Sequence, residues 1–175
     1  MKKVSRVAEK KVVRVNFKKN GQTGSLKRGS PANKVSLVKR YFSQPGRHPF
    51  DEVKWEKRDI KISGSRGTLV DAKGLEFPKF WSHNAASIAG AKYFRGSGDK
   101  REASVRQMIT RVVKTITGWG ELGGYFNTAG EAKIFEDELT HLLLYQKAAF
   151  NSPVWFIVGI KEKPQCSSCF ILAVD

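Results

Sequence analysis

Apolar positions recur at spacings of three and four between residues 102 and 118. Val105, Met108, Ile109, Val112, Val113 and Ile116 form one stripe, with Arg106, Arg111 and Lys114 off it. This predicts an amphipathic helix whose stripe is core, ended by Gly118 and Gly120. A second helix is predicted over 129–149. Thr128 and Glu131 make a capping-box pattern ahead of it, and Phe135, Leu139, Leu142, Leu143 and Gln146 mark its buried face. His141 lies beside that face and reads as a satisfied structural histidine, with no metal site expected there. A third helix is expected over 82–94, with Ser82 as N-cap and Ala85, Ile88, Ala89 and Lys92 in helical spacing. Its alanines allow a neighbour to approach closely, and Gly96, Ser97 and Gly98 break it.

The remaining pattern is shorter in period. Pro45, Pro49 and Pro78 oppose helix over 45–81. Ile60-Lys61-Ile62 alternates, residues 63–67 can turn, and Thr68-Leu69-Val70 returns, which predicts a hairpin near 58–78. Pro153 is expected to end the helical region. Val154–Val158 is an apolar run, Lys161–Pro164 an exposed connection, and Cys166–Val174 reads as a buried strand. That strand has no pairing partner among its predicted neighbours, which suggests a truncated domain with the rest of a sheet missing.

Composition divides the chain. The 175 residues carry a formal charge of +16 and are 40% hydrophobic, enough apolar material for a core. Residues 1–48 hold 14 Lys and Arg against a single acid, Glu9, whereas residues 49–175 hold 18 against 15. Residues 1–35 therefore read as a basic flexible arm, turn-rich from Asn20 to Pro31. Such an arm can hold nucleic acid by counterion release, or it can be a solvated tail. No apolar run approaches the length of a membrane span, and no apolar stretch follows the charged N-terminus as in a signal peptide. A cytoplasmic, reducing location is the expectation, with no membrane partner.

Cys166 and Cys169 form a C-x-x-C pair. The pair fits half of a zinc site, a redox dithiol, one functional cysteine beside an incidental one, or two small residues in a strand. The glycines fit neither a P-loop nor a dinucleotide fingerprint, and no paired-carboxylate or nucleophile-elbow pattern is present.

Several segments read together carry a resemblance. They are Phe42-Ser43-Gln44-Pro45-Gly46-Arg47-His48-Pro49-Phe50 running on to Asp59, then Lys92-Tyr93-Phe94-Arg95-Gly96, and Ser104-Val105-Arg106-Gln107. Leu139-Thr140-His141-Leu142-Leu143, Gln146–Phe156 with its Asn151-Ser152-Pro153, and Pro164-Gln165-Cys166-Ser167-Ser168-Cys169-Phe170-Ile171 complete them. Over about residues 41–175 the chain resembles the N-terminal region of the adenosylcobalamin-dependent (class II) ribonucleotide reductases.

The resemblance implies an α+β chain. Residues 36–150 would be a mainly helical N-terminal domain with its small β-hairpin, and 151–175 the first strand of an incomplete α/β barrel. It implies reduction of ribonucleoside diphosphates to deoxyribonucleotides by thiyl-radical chemistry, with adenosylcobalamin bound mainly by other parts of the polypeptide. The partners it implies are the ribonucleotide substrate, the remainder of the reductase and a thioredoxin-like or other dithiol reductant. By the same resemblance Cys169 is one cysteine of the redox pair, Ser168 contacts the nucleotide, and Ser152 contacts it near the phosphates. Cys166 receives no catalytic role, and Ile157 stands where the family usually has asparagine. The radical-bearing cysteine and the second redox cysteine are expected beyond residue 175, so the isolated chain should be inactive. The competing readings are a nucleic-acid-binding module built on the basic arm and a non-functional remnant.

Overall fold

The computed structural model describes Ser36, residues 38–64 and residues 67–168. The basic arm of residues 1–35 and the segment Cys169–Asp175 lie outside the described residues. Among the described residues, two strands and four helices follow one another: β1 (Trp55–Gly64), β2 (Gly67–Pro78), α1 (His83–Ile88), α2 (Val105–Leu122), α3 (Ala129–Leu144) and α4 (Ser152–Ile157). A short 3-10 turn at Pro49–Glu52 precedes β1, and another at Gly98–Lys100 precedes α2. Helices beside a two-stranded antiparallel sheet make this an α+β arrangement.

The hairpin is much longer than the two triplets that alternate in the sequence. Its register runs from Trp55 opposite Pro78, through Ile60 opposite Ala72, to Gly64 opposite Gly67. An irregularity between Arg58 and Ile60 shifts the side-chain phase. The Asp59 carboxylate fills the gap by accepting the N–H of Gly74, at 2.7 Å, where φ is +66°. Ile60, Leu75 and Phe77 turn inward and are buried. The expected span of 58–78 thus holds except that β1 begins three residues earlier, at Trp55.

Ser82 caps α1, its hydroxyl accepting the N–H of Ala85 at 3.1 Å. The helix then loosens into a π-helical turn, Ala89–Tyr93. Ala86, Ala89 and Gly90 form the small-residue face, and a Cβ on Gly90 would sit 2.9 Å from Leu75 Cδ1 and 3.2 Å from Phe77 Cζ. That face lets the helix lie directly on the hairpin.

In α2 the stripe Val105, Met108, Ile109, Val112 and Val113 is buried, with Ser104 as N-cap. The helix does not stop at Gly118 or Gly120 but continues to Leu122. Gly120 serves packing instead, since a Cβ there would fall 2.6 Å from the Phe126 ring. Before α2, the chain docks on the hairpin edge: Glu76 N–H donates to Ala103 O at 2.8 Å, and Ser104 Oγ donates to the Glu76 carboxylate at 2.6 Å.

Helix α3 opens as predicted at Thr128, whose hydroxyl accepts the N–H of Glu131 at 3.1 Å. The Glu131 carboxylate reaches Asn127 N–H at 2.8 Å, and also Ser36 Oγ and Val38 N–H at 3.1 and 3.2 Å. The helix ends at Leu144, five residues before the predicted end. Gln146, expected on the buried face, is exposed and takes the left-handed conformation, φ +57°, that closes the helix. The buried side of α3 includes Glu131, Asp137, Glu138, Thr140 and His141 as well as Leu143 and Leu144. The acids are covered by the N-terminal segment: Arg40 pairs with Asp137 at 3.0 Å, and Glu138 accepts the N–H groups of Tyr41, Phe42 and Ser43.

The apolar run after Pro153 is helical, as α4. Pro153 stands in the first turn of that helix rather than ending the helical region, which is tolerated because the first-turn N–H groups lack intrahelical partners. Cys166, Ser167 and Ser168 are irregular, and the rest of the predicted terminal strand lies outside the described residues.

Candidate functional site

The Asn151-Ser152-Pro153 turn opens α4 and is tied to Tyr93 and to the Cys166 carbonyl. A helix of six residues has no stability of its own in water, so α4 depends on its neighbours. Val154, Trp155 and Val158 are buried in the core, and Trp155 Nε1 donates to Phe150 O at 3.1 Å. At the far end of α4, the Arg111 guanidinium donates to Val158 O at 2.6 Å and Trp155 O at 3.1 Å. The same guanidinium pairs with Glu102 at 2.7 and 3.3 Å, the two side chains being 11% and 12% exposed. Glu102 in turn accepts the N–H of Arg95 at 2.9 Å.

Gly159, at φ +76°, permits this clasp: a Cβ there would meet Arg111 Cγ at 2.6 Å and Thr115 Oγ1 at 2.8 Å. In the sequence Arg111 stands out only as lying off the α2 stripe. Its partners are 44 and 47 residues further on, so no local signal marks it.

The Arg111 clasp uses the planar fork of the guanidinium, which an ammonium cannot reproduce. Arg111→Lys is expected to lower stability by about 2 kcal/mol while keeping the charge. Urea unfolding checks this, and a loss below about 0.5 kcal/mol would show that charge alone suffices.

The Ser152 hydroxyl lies 3.1 Å from that of Tyr93. The Tyr93 ring packs against Phe156 and Trp155, with centroids 5.5 and 6.3 Å away, and the Arg95 guanidinium covers Phe156 at 4.5 Å. Beside Ser152, the Asn151 amide donates to Cys166 O at 2.9 Å. The fold thus ties the Ser152 turn to the start of the C-x-x-C segment. Cys166 is a free, half-buried thiol packed against the core, and Ser168 is exposed. Cys169 lies outside the described residues. A small cavity of about 230 Å³ is lined by Trp81, Ala89, Tyr93, Met108, Leu143 and Trp155. Its lining is apolar and suits packing rather than a charged ligand.

His141 is buried and structural in its contacts, stacked on Phe42 and Tyr145 at 5.3 and 4.3 Å. It is not satisfied as expected: Nδ1 has no hydrogen-bond partner and sits 4.0 Å from a Glu52 carboxylate oxygen. Burial pushes its pKa down, and the Glu52 and Glu138 charges oppose that shift. Among the described residues, no three His, Cys, Asp or Glu side chains gather as a metal site, and no helix is long and apolar enough to cross a membrane.

Residues 56–101 and 98–146 match the model of a family described as class II vitamin B12-dependent ribonucleotide reductase. A vitamin B12-dependent ribonucleotide reductase of Streptomyces coelicolor is 47% identical over 155 residues, covering 86% of this chain and 16% of that protein. The protein of the same name from Rhodopirellula baltica is 35% identical over 184 residues, covering 87% of this chain and 18% of the relative. For Agrobacterium fabrum the figures are 27% over 159 residues, 70% and 12%. The chain therefore spans less than a fifth of the length of these curated relatives. With the family model extending over more than half of its 175 residues, the chain belongs to the class II vitamin B12-dependent ribonucleotide reductases.

Proposed function

We propose that the chain is the N-terminal portion of an adenosylcobalamin-dependent ribonucleoside-diphosphate reductase and acts only together with the rest of that polypeptide. The observation that carries this reading is the 47% identity over 155 residues, which aligns 86% of the chain with 16% of a reductase. Residues 36–150 form the helical N-terminal domain, and 151–175 begin the catalytic α/β barrel. Cys169 is one thiol of the reducing pair, and Ser152 and Ser168 hold the nucleotide. The net reaction balances as two thiols and a ribonucleotide giving a disulfide, a deoxyribonucleotide and water. The 2′ hydroxyl departs as the water, and a dithiol partner such as a thioredoxin returns the disulfide to two thiols.

Neither His141 nor the cavity lined by Tyr93 and Trp155 fits the cofactor. The buried imidazole of His141 stacks on two aromatic rings, and the cavity lined by Tyr93 and Trp155 is small and mainly apolar. Corrin binding is therefore assigned to the remainder of the polypeptide. A cobalamin held there would supply the radical chemistry of the reaction. What this chain contributes is a serine hydroxyl donor toward phosphate oxygens and one of two reducing thiols.

The test is deoxycytidine diphosphate formation from cytidine diphosphate with adenosylcobalamin and dithiothreitol. Turnover is expected from the complete polypeptide and none from residues 1–175 alone. Turnover by the isolated chain would overturn the proposal, and so would a complete polypeptide that binds cobalamin but reduces no ribonucleotide.

A further inference from the structure

Tyr93 is delivered to Ser152 by an unusual piece of backbone. The π-helical turn Ala89–Tyr93 carries one more residue per turn than an α-helix, a geometry often found at functional sites. It is locked on both sides. Gly90 packs against Leu75 and Phe77, and Phe94, buried, stacks on Phe77 at a centroid distance of 5.7 Å. The phenol is held in turn by Phe156 and Trp155 of α4, the helix that begins with Ser152. Both hydroxyls, 3.1 Å apart, thus sit on fixed backbone, and neither residue is fully buried.

The chemistry of a phosphate ligand decides which hydroxyl donates. A serine has one proton and two lone pairs, and a phosphate oxygen at neutral pH accepts. The Ser152 proton must therefore go to the nucleotide, which leaves its lone pair to accept from the Tyr93 O–H. A hydroxyl whose lone pair is already engaged by a donor is both fixed in rotamer and polarised.

We infer that Tyr93 is a positioning residue for substrate binding, its hydroxyl donating to Ser152 Oγ and aiming the serine proton at a phosphate oxygen of the nucleotide. This rests on the reading of Ser152 as a substrate contact. Tyr93→Phe keeps the ring packing and removes only the donor.

The test uses the complete reductase with Tyr93→Phe, Ser152→Ala and the double variant, measuring kcat and KM for cytidine diphosphate together with thermal melting. Ser152→Ala is expected to raise KM about tenfold, a loss typical of a hydrogen bond to a charged group. Tyr93→Phe should raise KM about three- to tenfold, with kcat within about twofold and melting unchanged. The double variant should be no worse than Ser152→Ala, since the phenol acts only through the serine.

An unchanged KM in Tyr93→Phe, beside a raised one in Ser152→Ala, overturns the inference and leaves the serine contact standing. Effects that multiply in the double variant do the same. A fall in kcat and melting temperature without a selective rise in KM marks Tyr93 as packing alone. If Ser152→Ala leaves KM unchanged, the serine reading itself fails and takes the inference with it.

Discussion

Replacing Cys169 by serine in the complete reductase is expected to lower deoxynucleotide formation by about a thousandfold or more. The two electrons that reduce the ribose come from converting two thiols into a disulfide, and a serine hydroxyl cannot enter that bond. The loss should appear in kcat, because the proposed role lies in the chemistry rather than in binding. Cys166→Ser is the matched control three residues earlier. The Cys166 thiol is packed against the core, and its link to the site is the carbonyl that accepts from Asn151, which serine retains. Activity within about threefold of the parent is expected there. Measuring product together with free thiols after one turnover separates the two: the parent should lose a pair of thiols per nucleotide reduced, and the Cys169→Ser protein none. Multiple turnover by Cys169→Ser would remove Cys169 from the reducing pair.

What can be read from the sequence follows from how local each signal is. The α2 stripe, the Thr128 cap and the Ser82 cap each involve partners within one or two turns, and each has the expected element built on it. Features that depend on a distant partner mislead. Gly118 and Gly120 look like a helix end, yet Gly120 is small because Phe126 packs over it. Pro153 looks like a stop, yet it begins a helix that Arg111 clasps from across the fold. The hairpin is legible from the short triplets that flank its turn, and its expected span of 58–78 misses only the first residues of β1. The candidate site divides in the same way. Resemblance points to Ser152, Ser168 and Cys169, while Tyr93, which meets Ser152 from 59 residues away, emerges only in three dimensions.

The buried acids of α3 show the same limit and lead to a large expected effect on stability. Glu138 is 8% exposed and would ordinarily be read as a solvated helix position. Instead, one of its oxygens accepts from Tyr41 N–H at 3.1 Å, Ser43 N–H at 2.8 Å and Ser43 Oγ at 2.6 Å, and the other from Phe42 N–H at 2.9 Å. Burial by itself raises the pKa of this carboxyl, but the Ser43 hydroxyl and the three backbone donors outweigh it and hold the group at about 2. A depressed folded-state pKa means that the carboxylate stabilises the fold fully above its ordinary range near 4.5, and that this contribution fades as pH falls toward 2. Allowing for partial solvent screening, it amounts to about 2–3 kcal/mol. Glu138→Gln keeps the shape but offers one acceptor oxygen and turns an amide donor toward other donors. It should therefore cost about 2–4 kcal/mol at pH 7 and release residues 38–43 from α3. Urea unfolding of both chains from pH 7 down to pH 2 is the measurement. The parent should lose stability through the acid range, whereas the Glu138→Gln chain should start lower and decline less, so that the two converge at low pH. Curves that stay parallel would mean that the carboxylate charge does not fasten this segment, whatever the geometry of its hydrogen bonds.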